Sequence, residues 1–351
     1  MEFLKGTKIF KVNDSNAILE CSNILREGGV VAFPTETVYG LGANALDSKA
    51  VKRIFKAKGR PADNPLIVHI ADLKQLNDLV TKIPKEVKLL SQKFWPGPLT
   101  LVLKKEDVVP EITTGGLDTV AIRLPGHDVA LNLLQKSQLP IAAPSANLSG
   151  RPSPTTAQHV IADLAGRIEA VIDGGPTGIG VESTVISLVE EPPTLLRPGG
   201  ITYEELKDLL GEVDIDSAVE AEIEDENRLA LSPGMKYKHY SPDAEVLVIE
   251  GQRTKIANEI MTLTDQYLEE GLNVGVMATK ENSDSYTKSQ VKVMGNRSNL
   301  MEISSNIFRL LREFDEMEVD IILVEGLSTI GLGLAIMNRL RKAAGYQIIN
   351  V

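Results

Sequence analysis

Eight acidic residues and no basic residue fall between Glu212 and Glu226. A block of like charges of this kind resists burial and is typical of a solvated connection. The chain of 351 residues is therefore predicted to fold as two domains, each with its own core. The predicted boundaries are residues 1–211 for the first domain, 212–245 for an acidic linker and 246–351 for a smaller second domain.

The net charge of −11 is spread unevenly, with −1 in residues 1–211, −7 in 212–245 and −3 in 246–351. The basic excess of a protein that binds nucleic acid by neutralising phosphates is therefore not found in any of the three segments. The single cysteine, Cys21, excludes an intramolecular disulfide and a cysteine-rich zinc site. No apolar run approaches the roughly 18 residues of a membrane-spanning helix, and the first residues lack a secretory apolar region. We therefore expect a cytoplasmic protein.

Short β-branched runs bounded by glycine, proline or polar residues predict strands in the first domain. They lie at residues 29–33, 66–70, 99–103, 120–124, 170–173 and 184–188. Helical patterns lie at 15–27, 48–58, 73–80, 84–94, 129–137, 154–165 and 202–210. Ser153 before Pro154 predicts a capped helix start, and Thr202 with Glu205 predicts a capping box.

The second domain alternates predicted strands and helices, which favours a small parallel α/β layer. The strands are predicted at 245–250, 274–277, 291–294 and 319–325, and the helices at 254–268, 299–314 and 333–343. The G-x-G-x-x-G fingerprint is missing, so a claim of dinucleotide binding would be weak.

Three segments of the first domain combine polar side chains with glycine or proline at strand and helix ends, where ligand contacts are common. The first is Pro-Thr-Glu-Thr-Val-Tyr-Gly at 34–40. The second is 56–69, where Lys58 and Arg60 stand in a proline-bracketed loop that suits an anion such as a polyphosphate. The third is 143–153, with the pair Ser145 and Asn147.

Three further segments are less specific by themselves. They are Glu-Ser-Thr at 182–184, Arg197 at a strand end, and the basic, aromatic, proline-bracketed stretch 232–242. A featureless linker would be rich in Gly and Ser or charged throughout, so this last stretch is interpreted as a segment that docks on a surface.

Taken together, these segments resemble the threonylcarbamoyl-AMP synthase family in its two-domain form. The resemblance implies a YrdC-type catalytic domain with a twisted, mostly open α/β sheet and a large concave cavity, followed by a Rossmann-like α/β domain. It implies that L-threonine, bicarbonate and ATP give threonylcarbamoyl-AMP and pyrophosphate, for the threonylcarbamoyladenosine modification of tRNA. Mg²⁺ is expected with ATP, held by nucleotide oxygens and water and not by protein side chains.

The resemblance also assigns residues to the two substrates. The candidate ATP contacts are Lys58, Arg60, Asn64, Thr119, Ser145, Asn147, Ser153, Arg197 and Tyr237. The candidate L-threonine contacts are Thr35, Thr37, His69, Arg123, Ala143 and Ser183, with Arg123 expected to clamp the carboxylate. The stretch 232–242 is expected to close over the cavity as a lid, with Lys236, His239 and Tyr240 as further contacts.

Two other functions stay open at this point. One is a carbamoyl-adenylate-forming carbamoyltransferase of related fold, against which the single cysteine argues. The other is a non-catalytic RNA-binding module, for which the charge of the first domain is a poor match. Transfer of the product to tRNA is expected to involve partner enzymes, without stable nucleic-acid binding or membrane attachment by this chain.

Overall fold

The computed structural model describes residues 2–4, 6–220 and 240–351. These residues form two compact units. The first unit contains the residues up to Ser149 and Ser153–Val219, and the second contains Gly150–Pro152 and the residues from Tyr240 onward. The domain boundaries given above stay predictions, because much of the predicted linker lies outside the described residues.

The first unit is built on one mixed sheet. Its strands are β1 (Glu2–Leu4), β2 (Thr7–Lys11), β3 (Val31–Phe33), β4 (Gly40–Asn44), β5 (Ile67–His69), β6 (Leu99–Lys104), β7 (Thr119–Arg123), β8 (Ile141–Ala142), β9 (Ala170–Asp173), β10 (Thr184–Ser187), β11 (Thr194–Arg197) and β12 (Asp214–Ile215). Their order across the sheet is β1-β2-β9-β3-β4-β8-β5-β7-β6-β10-β11-β12. Parallel and antiparallel neighbours alternate irregularly, as in an α/β fold with many crossovers.

Helices cover the sheet. They are α1 (Ala17–Arg26), α2 (Ser48–Lys58), α3 (Leu76–Leu79), α4 (Lys85–Phe94), α5 (Glu111–Thr114), α6 (Asp128–Ser137), α7 (Ala157–Leu164), α8 (Tyr203–Leu210) and α9 (Ser217–Glu220). A core formed by α1, α6 and the strands β2, β3 and β9 includes Phe10, Leu25 and Leu133. Burial, the main cause, raises the pKa of the Cys21 thiol in this core to about 12, so the thiol is protonated and inert at neutral pH.

Most predicted elements of the first domain are present, with ends shifted by no more than three residues. The predicted start of α7 is wrong. The helix begins at Ala157, and Thr156 caps it by accepting a hydrogen bond from the His159 N–H. Pro154 stays outside the helix, where its carbonyl accepts the Tyr39 N–H at 2.9 Å. Ser153 is free of any capping role and contacts the site described below.

The sequence pattern did not predict the strand β4. Glycine is a poor strand former, but two of the five residues here are glycine. A Cβ at Gly42 would lie 2.7 Å from the Phe33 ring and 2.8 Å from Ile141. At Gly42 the strand therefore passes too close to Phe33 and Ile141 for a side chain.

The second unit is a parallel sheet of five strands flanked by three helices. A parallel α/β layer with three helices and four of these strands was predicted, whereas the fifth strand, at Ile348–Asn350, was not. The strands are β13 (Glu245–Glu250), β14 (Val274–Thr279), β15 (Gln290–Gly295), β16 (Ile321–Glu325) and β17 (Ile348–Asn350), in the order β15-β14-β16-β13-β17. The helices are α10 (Arg253–Glu269), α11 (Leu300–Glu316) and α12 (Leu332–Ala343). Ile260, Val276 and Leu323 are among the residues that join α10 to the sheet.

Within the described ranges, no helix has the length and apolar character needed to span a membrane.

Candidate functional site

Strands β5, β6 and β7 bring several predicted residues to one face of the first sheet. His69 pairs in register with Arg123, and Arg123 pairs with Thr100. Thr119 lies on the same face as Arg123, because side chains alternate between the two faces of a strand. Arg123 lies four positions after Thr119 along β7, a distance of about 13 Å at ~3.3 Å per residue. We call the surface that carries His69, Thr100, Thr119 and Arg123 the site face.

Apolar side chains fill the middle of the site face. Ile67, Val102, Ala121, Val185 and Leu196 pack together there. A cavity of about 280 Å³ lies toward the Thr119 end and is lined in part by Val102, Thr119 and Leu196. The face thus has an apolar floor with polar groups at both ends, which is typical of small-molecule sites.

Arg123 is buried at one end of the site face, with its side chain 4% exposed. Its Nη2 lies 2.6 Å from Oε1 of Glu36. Its Nε donates to the Gly97 carbonyl at 3.2 Å, and its Nη1 donates to Thr37 Oγ1 at 3.0 Å. A guanidinium has five N–H groups, so these three contacts do not use all of them.

The two threonines of the 34–40 loop form a directed chain of hydrogen bonds. Thr35 Oγ1 donates to the Val38 carbonyl at 2.6 Å, so it accepts from Thr37 Oγ1 at 2.8 Å. Thr35 also accepts from the Thr37 N–H at 3.2 Å, which uses its donor and both acceptor positions. A direct contact between the Thr35 hydroxyl and L-threonine would therefore replace one of these bonds.

His69 is buried beside Arg123, and its Nδ1 lies 3.2 Å from the Ile67 carbonyl. Burial, with the nearby Arg123 charge as the second cause, lowers the pKa of His69 to about 3. The imidazole is therefore neutral at pH 7 and can serve as a hydrogen-bond donor or acceptor, but not as a cation. Ala143, the other predicted contact here, is buried and donates its N–H to the same Ile67 carbonyl at 2.9 Å.

A second group of predicted residues meets at the end of α2. Lys58 is buried, and its ammonium donates to the Ser145 carbonyl at 2.5 Å and to the Asn147 carbonyl at 2.7 Å. A third contact joins Lys58 Nζ to Asn147 Oδ1 at 3.2 Å, and Ser145 Oγ donates to the same oxygen at 2.6 Å. The structure therefore brings Lys58, Ser145 and Asn147 together, with a buried positive charge that holds a polar loop.

Asn64 and Arg60 lie in the loop that follows α2. The Asn64 side chain is fully buried, yet neither its Oδ1 nor its Nδ2 has a hydrogen-bond partner among the described residues. Leaving a buried polar group without a partner costs about 1–3 kcal/mol, so such a group calls for an explanation. The Arg60 guanidinium lies over the Phe55 ring, with its carbon 5.3 Å from the ring centroid.

Buried hydrogen bonds hold three other predicted residues, Ser153, Ser183 and Arg197. Ser153 Oγ donates to Glu182 Oε1 at 2.5 Å. Ser183 Oγ lies 2.8 Å from Thr100 Oγ1 on the site face, and its carbonyl accepts Nε and Nη2 of Arg197 at 3.1 and 2.9 Å. Arg197 thus fixes the Ser183 end of β10.

The 34–40 loop joins these groups through backbone hydrogen bonds. Tyr39 accepts the Ala146 N–H at 2.8 Å, and Thr37 accepts the Gly180 N–H at 3.1 Å. Glu36 accepts the Ile179 N–H at 2.9 Å. The three sequence segments singled out for ligand contacts, together with residues 179–183, are therefore one connected structure.

The predicted lid is placed only in part. Lys236, Tyr237 and His239 lie outside the described residues. Tyr240 belongs to the second unit, where its buried ring stacks on Phe308 with centroids 5.0 Å apart. The expected contact of Tyr240 with the nucleotide or threonine stays a prediction.

Three polar residues with partners in the site were not among the predicted contacts, namely Glu36, Thr100 and Glu182. Glu36 and Glu182 lie inside motifs named above, so their carboxylates were a usable signal. Their partners are 87 and 29 residues away in the chain, which no local pattern reports.

Two family models match successive parts of the chain. The family described as Telomere recombination matches residues 23–199, and the family described as Threonylcarbamoyl-AMP synthase, C-terminal domain, matches residues 201–345. Threonylcarbamoyl-AMP synthase of Pyrococcus abyssi is 57% identical to the chain over 94% of both proteins. The protein of the same name from Bacillus subtilis is 51% identical over 99% of this chain and 98% of its own.

A solved structure is similar over nearly the whole chain. The crystal structure of P. abyssi Sua5 complexed with L-threonine is 54% identical, with a TM-score of 0.93, and covers 98% of this chain and 99% of its own. The fold predicted from the resemblance is thereby confirmed. The chain belongs to the threonylcarbamoyl-AMP synthase family.

Proposed function

We propose that the chain makes threonylcarbamoyl-AMP and pyrophosphate from L-threonine, bicarbonate and ATP. The observation that carries this proposal is the relative named threonylcarbamoyl-AMP synthase, which is 57% identical over 94% of both chains. The structure of a relative complexed with L-threonine, similar over 98% of this chain, supports the amino-acid substrate.

The chemistry requires positioning more than a reactive side chain. The amine of L-threonine and bicarbonate give a carbamate, one oxygen of which attacks the α-phosphorus of ATP, and pyrophosphate leaves. Catalysis of such a transfer depends on alignment and on neutralising phosphate charge. Lys58, Arg60 and Arg197 supply positive charge, and Asn64, Ser145 and Asn147 supply hydrogen-bonding groups.

The two ends of the site face suit the two substrates. Arg123 at one end has further N–H groups for the L-threonine carboxylate, next to the neutral His69. Thr119 at the other end lines the cavity, where it is proposed to contact ATP. The buried Asn64 amide has no hydrogen-bond partner among the described residues, and it is proposed to form hydrogen bonds with the nucleotide.

Mg²⁺ is proposed to accompany ATP. Among the described residues, no three His, Cys, Asp or Glu side chains are grouped so as to hold a metal ion. The proposed ATP contacts are cations, hydroxyls and amides, a set that fits phosphate oxygens better than a bare cation. When bound, Mg²⁺ would neutralise phosphate charge, with ligands from the nucleotide and water.

The product is proposed to reach tRNA through partner enzymes, in the cytoplasm. The first domain carries a net charge of only −1, which does not favour direct binding of RNA by this chain.

The test is an assay of pyrophosphate release, with mass-spectrometric detection of the adenylate, in which each substrate is omitted in turn. We expect adduct formation only when L-threonine, bicarbonate and ATP are all present. Carbamoyl phosphate in place of L-threonine and bicarbonate tests the carbamoyltransferase alternative. Equal pyrophosphate release without L-threonine would refute the proposed function.

A further inference from the structure

One carboxylate oxygen of Glu36 has partners within the protein, and the other has no hydrogen-bond partner among the described residues. Oε1 lies 2.6 Å from Arg123 Nη2 and accepts the Gly126 N–H at 3.0 Å. Oε2 is buried and has no hydrogen-bond partner among the described residues. An unpaired, buried oxygen of a charged group is costly, so the arrangement calls for a donor that comes from outside the protein.

The side chain that carries this oxygen is firmly held. The Glu36 carbonyl accepts the Ile179 N–H, and the neighbouring Thr37 accepts both the Gly180 N–H and Arg123 Nη1. The Glu36 side chain is 16% exposed and the Arg123 side chain 4%. The position of Oε2 relative to the guanidinium is therefore fixed by the fold, which is what selective binding requires.

Arg123 is the one cation near Glu36 in the described part of the chain at neutral pH. The imidazoles that interact with Glu36 are His69 and His127, and burial is the main cause that lowers the pKa of each. A carboxylate and a guanidinium side by side, each with hydrogen-bonding capacity to spare, complement a zwitterion. The free amino acid L-threonine carries that pair of charges on two groups bonded to the same carbon atom.

We propose that Glu36 binds the α-ammonium group of the amino-acid substrate through Oε2, while Arg123 binds the α-carboxylate. Glu36 is then the residue that selects an α-amino acid over a carboxylic acid without the amine. The inference rests on the proposed function and adds a recognition residue to it. Glu36 acts here in binding and not as the base that deprotonates the ammonium. Burial raises the pKa of its carboxyl, but Arg123 and the Gly126 N–H outweigh burial and hold it below its usual value.

The experiment compares two ligands on the full-length chain. Dissociation constants of L-threonine and of 3-hydroxybutanoate, which lacks only the α-ammonium, are measured by calorimetry on the wild type and on Glu36→Gln. A hydrogen bond to a charged group typically changes affinity about 10- to 100-fold. We expect the preference for L-threonine to fall by about that factor in Glu36→Gln, with binding of 3-hydroxybutanoate changed less than about threefold.

A role limited to holding Arg123 would weaken both ligands equally, because both carry the carboxylate. That result would overturn the inference. Glu36→Asp, which keeps the charge but withdraws the oxygen by one methylene, is expected to reduce the same preference about tenfold, so the test does not depend on one variant folding. An unchanged preference in Glu36→Asp would also count against it.

Glu325→Gln is the matched control, because Glu325 is a fully buried carboxylate in the second unit, 2.9 Å from Arg297 Nη2. The Glu325→Gln variant is expected to prefer L-threonine over 3-hydroxybutanoate as strongly as the wild type does. A loss of this preference comparable to that in Glu36→Gln would contradict the inference. Pyrophosphate release by the wild type is measured in parallel. If the wild type releases pyrophosphate but the Glu36 variants keep the wild-type preference for L-threonine, this inference alone is refuted. If the wild type releases no pyrophosphate, the proposed function is refuted.

Discussion

Replacement of Arg123 by alanine would leave Glu36 as a buried carboxylate without its cation. The two side chains are 4% and 16% exposed, so solvent would screen the remaining charge poorly. Removal of one partner of a buried ion pair typically costs about 3–5 kcal/mol. For a unit of about 200 residues, with 2–4 °C per kcal/mol, this predicts a melting temperature lowered by about 6–20 °C at pH 7.

The loss should depend on pH in a defined direction. In the wild type the pKa of Glu36 lies below its usual value of 4.5, so the ion pair stabilises the fold above that pH and less as pH falls through the folded pKa. Without Arg123, burial raises the pKa, and the carboxyl takes up a proton more readily in the folded variant. The difference in free energy of unfolding is therefore expected to be largest near pH 7 and to shrink by at least about half at pH 4.

Urea unfolding followed by tryptophan fluorescence measures this difference. Trp95 is the single tryptophan of the chain, lies in the first unit and donates its indole N–H to the Leu99 carbonyl at 2.7 Å. The variant Arg123→Ala/Glu36→Gln, which removes both charges, is the control and should recover more than half of the lost stability. A loss that is equal at both pH values and is not recovered in the double variant would refute the reasoning.

Three further predictions follow from buried groups of the site. Asn64→Leu should leave the melting temperature unchanged or raise it, because it removes an unpartnered buried amide, yet raise the KM for ATP at least about tenfold; a normal KM would remove Asn64 from the site. Lys58→Met should lower kcat/KM for ATP at least about 100-fold and also loosen the loop that holds Ser145 and Asn147, detected as faster amide hydrogen exchange there; unchanged exchange would contradict the contacts. His69 should remain neutral down to about pH 3 in an NMR titration. Since its unfolded pKa is near 6.5, it should make the fold less stable as pH falls below that value, and a titration midpoint near 6.5 in the folded protein would refute this.

The local sequence was enough to predict most helices and strands. The spacing of apolar residues along a short segment indicates whether it is a helix or a strand. For this reason α2 at Ser48–Lys58, β9 at Ala170–Asp173 and β13 at Glu245–Glu250 have the predicted bounds. The capping box of Thr202 and Glu205 was predicted for the same reason, because its two members are three residues apart.

Where local signals competed with distant contacts, the predictions were wrong or incomplete. Ser153-Pro154 has the composition of a helix start, but the Tyr39 N–H, more than 100 residues earlier, binds the Pro154 carbonyl and keeps this segment outside the helix. The strand β4 is rich in glycine because Phe33 and Ile141 lie against it, a reason that its own sequence does not show.

For the site, the local sequence was enough to predict candidate segments, since loops rich in hydroxyls, glycine and paired cations are local features. Tertiary structure alone decided which side chains meet. Glu36 reaches Arg123 across 87 residues, and Lys58 reaches Asn147 across 89. The order of the strands in the first sheet brings these distant segments together, and strand order depends on how all the apolar faces are buried together. For this reason the orphaned oxygen of Glu36 and the unpartnered amide of Asn64 became visible only in the folded chain.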